Sequence, residues 1–347
     1  MKPINTALCS FGMSGWVFHA PFININPGFK LYAVWERTKN LAEEKYPDVK
    51  TFRKLEDMLA DDSVELVIVN TPNYTHYEYA KKALQAGKHV VIEKPFTVTV
   101  AEGEELIALA AKQNKKLSVY QNRRYDSDYK TIKKVLQRNV LGDLVDVEMH
   151  FDRFKEDIGP KVHKETPGPG TGSLYDLGSH LIDQALQLFG MPEKLFADVQ
   201  AMRPVSKVDD YFDLIFFYNT FRVHIKSSYA VREALPGYIF HGLKGSFIKP
   251  KTDVQEEMLQ AGTIPGSSDW GTEPKSQKGL LHAEKNGEVI REYIQSEQGN
   301  YNEYYDGIYD AIRNEKPLPV TAEEGLEVIK IIEAAYQSNK TKCLVEL

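Results

Sequence analysis

Short apolar runs alternate with helix-period stretches through the first third of the chain. The runs at residues 4–9, 31–35, 64–70, 90–92 and 117–122 read as strands, and Val90–Val91–Ile92 is apolar without a break. Strands buried on both faces of a parallel sheet read this way. Between them a helix opens at Trp16–Val17–Phe18, another runs from Tyr77 to Ala86 and stops at Gly87, and a third covers residues 102–112. A glycine just past the last helical residue is a common stop. The order βαβαβαβαβ with short connections predicts an α/β, doubly wound parallel sheet.

The pattern changes after residue 122. A helix is expected over 128–139, and strand-like stretches then dominate, at 144–154, 195–202, 211–217, 222–229, 237–241 and 246–248. Several alternate in polarity, as in Val223–His224–Ile225–Lys226, which predicts a large, mainly antiparallel open sheet with one wetter face. Two long loops are expected, over 159–172 and over 260–277, the second carrying Trp270. Stretches that rich in Gly and Pro read as mobile connections near a site. Helices over 302–313 and 322–338 close the chain. The expected division is an α/β domain over 1–122 and an α+β domain over 123–347, with the closing helices able to pack back on the first.

A length of 347 residues supports two domains. A net charge of −6 and no basic block argue against a nucleic-acid or anionic-membrane partner. Neither a hydrophobic signal core at the N-terminus nor an apolar run of roughly 20 residues is found, and a membrane helix needs that many. Cys9 and Cys343 form neither a metal spacing nor a disulfide framework, which fits a reducing cytoplasm.

Candidate chemistry gathers at the ends of the predicted parallel strands, where ligands bind in such sheets. The first strand runs into Ser10–Phe11–Gly12–Met13–Ser14–Gly15, close to the G-x-G-x-x-G dinucleotide fingerprint with Ser10 in place of the first glycine. Gly12 would let a pyrophosphate approach the backbone, and Gly15 would let the helix pack against the strand. An ordinary βα turn would use the same glycines. The second strand ends in Glu36, placed to accept from ribose hydroxyls and so favouring NAD. Arg37 follows and keeps NADP open, with Thr38 or Lys39 able to offset Glu36. The strand at 90–92 emerges as Glu93–Lys94–Pro95, with Pro95 fixing the backbone after the lysine. Phe18 and His19 read as packing residues.

Asp176 and His180 are four apart and share a face if that stretch is a helix. An acid beside a histidine can orient the ring, and a histidine can take a proton from an alcohol near neutral pH. A capped helix with a satisfied histidine is the plain alternative.

Together, Glu93–Lys94–Pro95, the Gly12/Gly15 turn, Asn122–Arg123–Arg124 and the Asp176/His180 helix resemble the glucose–fructose oxidoreductase / inositol dehydrogenase / MocA (Gfo/Idh/MocA) family. Phe18–His19–Ala20–Pro21, residues 121–125, 175–184 and 319–325 look like its scyllo-inositol dehydrogenase branch. The resemblance implies a Rossmann domain binding NAD or NADP and a second domain that binds substrate and builds a homo-oligomer, a dimer or tetramer. It implies hydride transfer between the nicotinamide and a secondary alcohol of a cyclic polyol or sugar, without a metal. Lys94, Asp176 and His180 are implied as catalytic groups, and the Lys94–Pro95 bond as cis. The cofactor would lie along Gly12, Met13, Ser14, Gly15, Glu36, Arg37, Thr71, Pro72, Asn73, His76, Glu93, Lys94 and Asn122. Substrate contacts are expected from Arg123, Tyr125, Arg153, His163 and Tyr175. Another sugar or dihydrodiol as substrate, or a non-catalytic cofactor-binding regulator, are the alternatives.

Overall fold

Residues 2–159 and 162–347 are described by the computed structural model, and they divide into two units. The first takes in Met1–Asn122 together with Gln255–Trp270 and Asn300–Leu326. The second takes in Arg123–Val254, Gly271–Gly299 and Glu327–Leu347.

The first unit is built on β1 (Ile4–Leu8), β2 (Phe29–Trp35), β3 (Lys50–Phe52), β4 (Leu66–Val69), β5 (His89–Glu93) and β6 (Leu117–Tyr120). They form one parallel sheet in the order β3-β2-β1-β4-β5-β6, reversing direction of growth at β1. That is a doubly wound Rossmann sheet. All four residues of β4 are buried, as its unbroken apolar run requires. β3 adds a sixth strand to the five expected; three residues with no apolar run give no periodic signal.

The connecting helices are α1 (Ala20–Ile25), α2 (Leu41–Lys45), α3 (Leu55–Ala60), α4 (His76–Gln85) and α5 (Val100–Lys112). α5 starts two residues before the expected position, because Thr99 caps it. Thr99 Oγ1 accepts from Glu102 N at 3.3 Å, and Glu102 Oε2 accepts from Thr99 N at 3.1 Å, a reciprocal capping box.

Two later segments complete this unit. The helix Asn302–Arg313 buries Tyr304 and Tyr305 completely. Tyr305 stacks on Phe22 at 6.0 Å, and Tyr304 meets Tyr120 edge-on at 4.9 Å. Trp270, in the segment expected to be a mobile loop, is buried instead. Its Nε1 donates to Gln255 Oε1 at 3.2 Å, and the same oxygen accepts from Tyr301 N at 2.8 Å.

The second unit holds α6 (Ser127–Gln137), β7 (Leu144–His150), α7 (Val162–Glu165), α8 (Ser179–Phe189), β8 (Lys194–Gln200), β9 (Tyr211–Phe217), β10 (Arg222–Ser228), β11 (Tyr238–Gly242), β12 (Gly245–Lys249), β13 (Gly279–Lys285), β14 (Glu288–Ile294) and β15 (Val345–Glu346). Its sheet has the order β14-β13-β12-β11-β7-β10-β9-β8-β15, antiparallel except for the β7/β10 pair. Burial alternates strictly along β8, β9 and β10, so Phe212, Leu214 and Phe216 point into a core while their neighbours do not. β13 and β14 form a hairpin beyond the expected strands; β14 is mostly exposed, with Glu288, Arg291 and Glu292 breaking up its apolar residues.

Of the loop expected over 159–172, residues 160 and 161 lie outside the described residues, as does residue 1. The rest is anchored. Glu165 on α7 accepts from Arg203 Nη2 at 2.7 Å and from Gly159 N at 2.9 Å, while Arg203 Nε donates to Asp210 at 2.8 Å.

Candidate functional site

In the first unit the site begins where β1 ends. Asn70 Nδ2 donates to Ser10 O at 2.8 Å, and Ser10 Oγ accepts from Gly12 N at 3.1 Å. The serine that replaces the first fingerprint glycine thus braces the turn from inside. Gly15 has no room for a side chain: a Cβ there would stand 2.4 Å from Ser10 O and 3.1 Å from Asn70 Nδ2. At Gly12 a Cβ would meet only Ser10 Oγ, at 3.4 Å. The chain does not itself crowd Gly12, which fits a backbone left open for a ligand.

After the glycines the expected α-helix is first a π-helical turn, Ser14–His19, and only then α1. Ala20 N donates to Gly15 O, five residues back. Pro21 has no N–H to offer Val17, so the regular ladder is interrupted here. The widened turn turns His19 inward, where it is fully buried.

A cavity of about 350 Å³ opens beside the turn, lined among others by Gly12, Glu36, Arg37, Thr38, Lys39 and Thr71. Pro72 also lines it, as do Tyr74 and Tyr79, which sequence reasoning did not single out. Five of the expected cofactor residues therefore share one cavity. Glu36 differs from expectation in what its carboxylate does. Oε2 accepts from Ala42 N at 3.0 Å and Oε1 from Leu41 N at 3.3 Å, so both oxygens serve the free N–H groups opening α2. Arg53 Nη1 donates to Glu36 O at 2.9 Å and to Lys39 O at 2.5 Å, fixing the segment between. Arg37, Thr38 and Lys39 are exposed.

The loops after β4 and β5 are tied together behind this wall. His76 is buried, with Nε2 2.9 Å from Thr71 O and Nδ1 2.9 Å from Pro95 O. Burial holds its imidazole below the ordinary value, against the pull of those carbonyls. Asn73 opens a short 3₁₀ turn, Asn73–Thr75; Met13 precedes the π-helical turn; Asn122 is buried just beyond β6. The Lys94–Pro95 bond is cis.

Glu93 is the hub. Oε1 accepts from Ser14 Oγ at 2.5 Å and lies 3.0 Å from His19 Nε2; Oε2 accepts from Lys94 N at 3.2 Å. Burial would push this carboxyl up. The His19 hydrogen bond and charge, Ser14 and the nearby Lys94 charge outweigh it and hold Glu93 at about 2.

In the second unit, Asp176 sits on a π-helical turn, Leu174–Gly178, that runs directly into α8, whose second residue is His180. The turn is held by Asp209, whose Oδ2 accepts from Leu174 N at 2.8 Å and Ser173 Oγ at 3.0 Å. Gly172 has φ +98°, and a Cβ on it would stand 2.1 Å from Asp209 Oδ1, so only glycine fits. Lys164 Nζ lies 2.5 Å from Asp176 Oδ1. Sequence reasoning missed this lysine, which stands 12 residues from Asp176 inside the Gly/Pro-rich stretch. His180 is 5% exposed.

The expected substrate contacts are more engaged than foreseen. Arg123 Nη1 donates to Asp253 at 2.7 Å and Asp126 at 3.3 Å, and its guanidinium lies 5.0 Å over Phe151. Arg124 grips Asp183 with two bonds, 2.8 and 2.6 Å. Tyr175 is buried and stacks on Tyr336 at 6.0 Å, so its ring belongs to the core. Arg153 and His163 are exposed, and Tyr125 is half-buried.

The fold and these clusters define a nicotinamide-dependent oxidoreductase. Residues 4–121 match the NAD-binding Rossmann fold of the Gfo/Idh/MocA oxidoreductase family, and residues 133–347 match its C-terminal alpha/beta domain. The chain belongs to that family. It is 39% identical over 344 residues to scyllo-inositol 2-dehydrogenase (NADP(+)) IolW of Bacillus subtilis (strain 168), spanning 99% of this chain and 96% of that one. A solved oxidoreductase from Bacteroides fragilis is 47% identical with a TM-score of 0.92, covering 100% of both chains. The structure of the oxidoreductase yvaA from Bacillus subtilis is 38% identical with a TM-score of 0.95, covering 100% of this chain and 99% of that one.

Proposed function

We propose that this protein oxidises a secondary alcohol of a cyclic polyol, an inositol in the first instance, with NADP as hydride acceptor. The observation that carries the reading is 39% identity along 99% of the chain to a relative named for that reaction, with Lys94, Asp176 and His180 at the motif positions.

When bound, the nicotinamide supplies the hydride chemistry. The remaining work falls to this chain. Lys94 donates a hydrogen bond to the reacting oxygen and stabilises negative charge developing there. His180 accepts the hydroxyl proton, and Asp176 sets the electrostatics of the pair. Of the expected substrate contacts, Tyr125, Arg153 and His163 are retained, while Arg123 and Tyr175 act from behind.

The choice of NADP rests on Glu36. Each of its carboxylate oxygens accepts from an N–H at the start of α2, which offsets part of the negative charge that a 2′-phosphate would meet. Arg37, Thr38 and Lys39, exposed on the cavity wall, supply donors and positive charge for that phosphate. This reverses the preference for NAD that Glu36 suggests from sequence.

A homo-oligomer in the cytoplasm completes the reading; no helix among the described residues is long and apolar enough to cross a membrane. Turnover of inositol isomers, other sugars and dihydrodiols with NADP and with NAD is the test. Tight cofactor binding with no turnover on any of them would favour a regulatory protein instead.

A further inference from the structure

His19 is the fully buried residue on which the Glu93 hub turns. Its Nε2 faces Glu93 Oε1 at 3.0 Å, and its Nδ1 lies 2.7 Å from Tyr305 Oη. Tyr305 comes from the helix Asn302–Arg313, 286 residues away in sequence. Tyr120 closes the other side, its ring 4.6 Å from the imidazole. An ionised carboxylate only accepts, so Nε2 carries a hydrogen whether the ring is neutral or charged. Tyr305 serves either state. Burial drives its hydroxyl far above the ordinary value, so it keeps its proton and donates to Nδ1 of the neutral ring. Facing a charged ring it accepts instead, and leans on Phe18 O at 3.5 Å.

We propose that His19, oriented by Tyr305, is a positioning residue: it holds Glu93 as an ionised acceptor that locks Ser14 of the glycine turn to the strand end carrying Lys94. The proposal rests on the reading of that turn as the cofactor site. The groups facing Glu93 are Ser14 and His19 from the turn, Lys94 beside it, His76 from α4 and Tyr305 from the later helix. Three of these push toward ionisation: His19, Ser14 and Lys94. His19 contributes most of that push, against the burial of the carboxyl. Without His19 the balance moves toward burial, Glu93 takes up a proton at higher pH than in the wild type, and its grip on Ser14 changes character.

The test compares His19→Gln, which keeps a donor near the Nε2 position, with His19→Leu, which keeps bulk but no donor. Tyr305→Phe removes only the hydroxyl. The dissociation constant of NADPH is read by fluorescence between pH 5.5 and 8. His19→Gln is expected within about threefold of wild type, and His19→Leu weakened about tenfold at pH 8 and further as pH falls, where wild type is flat. Tyr305→Phe falls between. If His19→Leu matches His19→Gln, or binds with a flat pH profile, His19 is packing alone and the proposal is wrong. Should wild type bind no nicotinamide nucleotide, the functional reading fails while this one is still decided. Carbon-13 spectra of labelled glutamate then follow Glu93 directly: an ionised signal down to pH 4 in wild type and a titration at higher pH in His19→Leu are expected, and identical titrations overturn it.

Discussion

Lys164 Nζ stands 2.5 Å from Asp176 Oδ1, and both side chains are only partly exposed. The lysine is delivered by α7, which Glu165 pins to Arg203. Gly172 N also donates to Lys164 O at 3.0 Å, tying α7 to the turn that carries Asp176. The positive charge therefore belongs to the built environment of Asp176. Replacing Lys164 with methionine is expected to lower kcat/KM by about tenfold while leaving NADPH affinity unchanged. Steady-state kinetics beside a cofactor titration checks this; equal losses in both would place Lys164 in general stability.

Glu36 and Arg37 separate into two roles. Glu36→Ala removes the acceptor for two N–H groups opening α2 and is expected to cost about 1 kcal/mol of stability, with the preference for NADP over NAD retained. Arg37→Ala should leave the melting temperature unchanged and lower NADP affinity by about 10- to 100-fold, the worth of a charge-assisted hydrogen bond. Cofactor titrations and thermal melts on both variants decide between this assignment and one in which Glu36 selects NAD.

Arg124 and Asp183 form a bidentate pair with 9% and 3% of their side chains exposed. Breaking one side leaves a charge buried without its partner, so Arg124→Ala or Asp183→Ala is expected to destabilise the protein by about 3–5 kcal/mol. Denaturant midpoints measure it. A loss below about 1 kcal/mol would show that water reaches the pair.

Acid stability follows from two histidines, His76 buried and His89 half-buried. Burial holds His76 below the ordinary imidazole value, and burial together with Lys115 and Lys116 brings His89 down to about 4. The unfolded chain therefore binds protons first, at about pH 6.5, and the folded chain follows only at lower pH. Both contribute stability that is complete above about pH 6.5 and lost as pH falls below it, for His89 toward about 4. Glu93 adds a later loss, beginning below the unfolded glutamate value of about 4.3 and running toward 2. Urea midpoints should fall between pH 7 and 5, and His89→Gln should flatten that limb.

The parallel sheet was legible because most of its strands carry short apolar runs, Leu66–Val69 and Val90–Ile92 above all, and the glycine turn because Gly12 and Gly15 follow the first strand. β3 was not, since Lys50–Thr51–Phe52 carries no apolar run. The π-helical turns escaped as well: periodicity sees the apolar face of 14–25 and does not see Pro21 withholding an N–H. The largest gap is tertiary. Tyr305 reaches His19 across 286 residues, and Lys164 reaches Asp176 out of a stretch that reads as loop; no local pattern encodes either meeting. Glu36 shows the same limit in reverse. Its position at the end of β2 suggests a ribose acceptor, and only the start of α2 reveals where the carboxylate goes.

In the proposed reaction Lys94 and His180 carry the proton and charge chemistry of polyol oxidation. Its most direct test is steady-state oxidation of scyllo-inositol and its isomers with NADP, for wild type, Lys94→Ala and His180→Ala, beside NADPH binding to all three. Wild type is expected to turn over at least one isomer, and each variant to lose about 10²- to 10⁴-fold in kcat with cofactor affinity kept. Full turnover by both variants would contradict it.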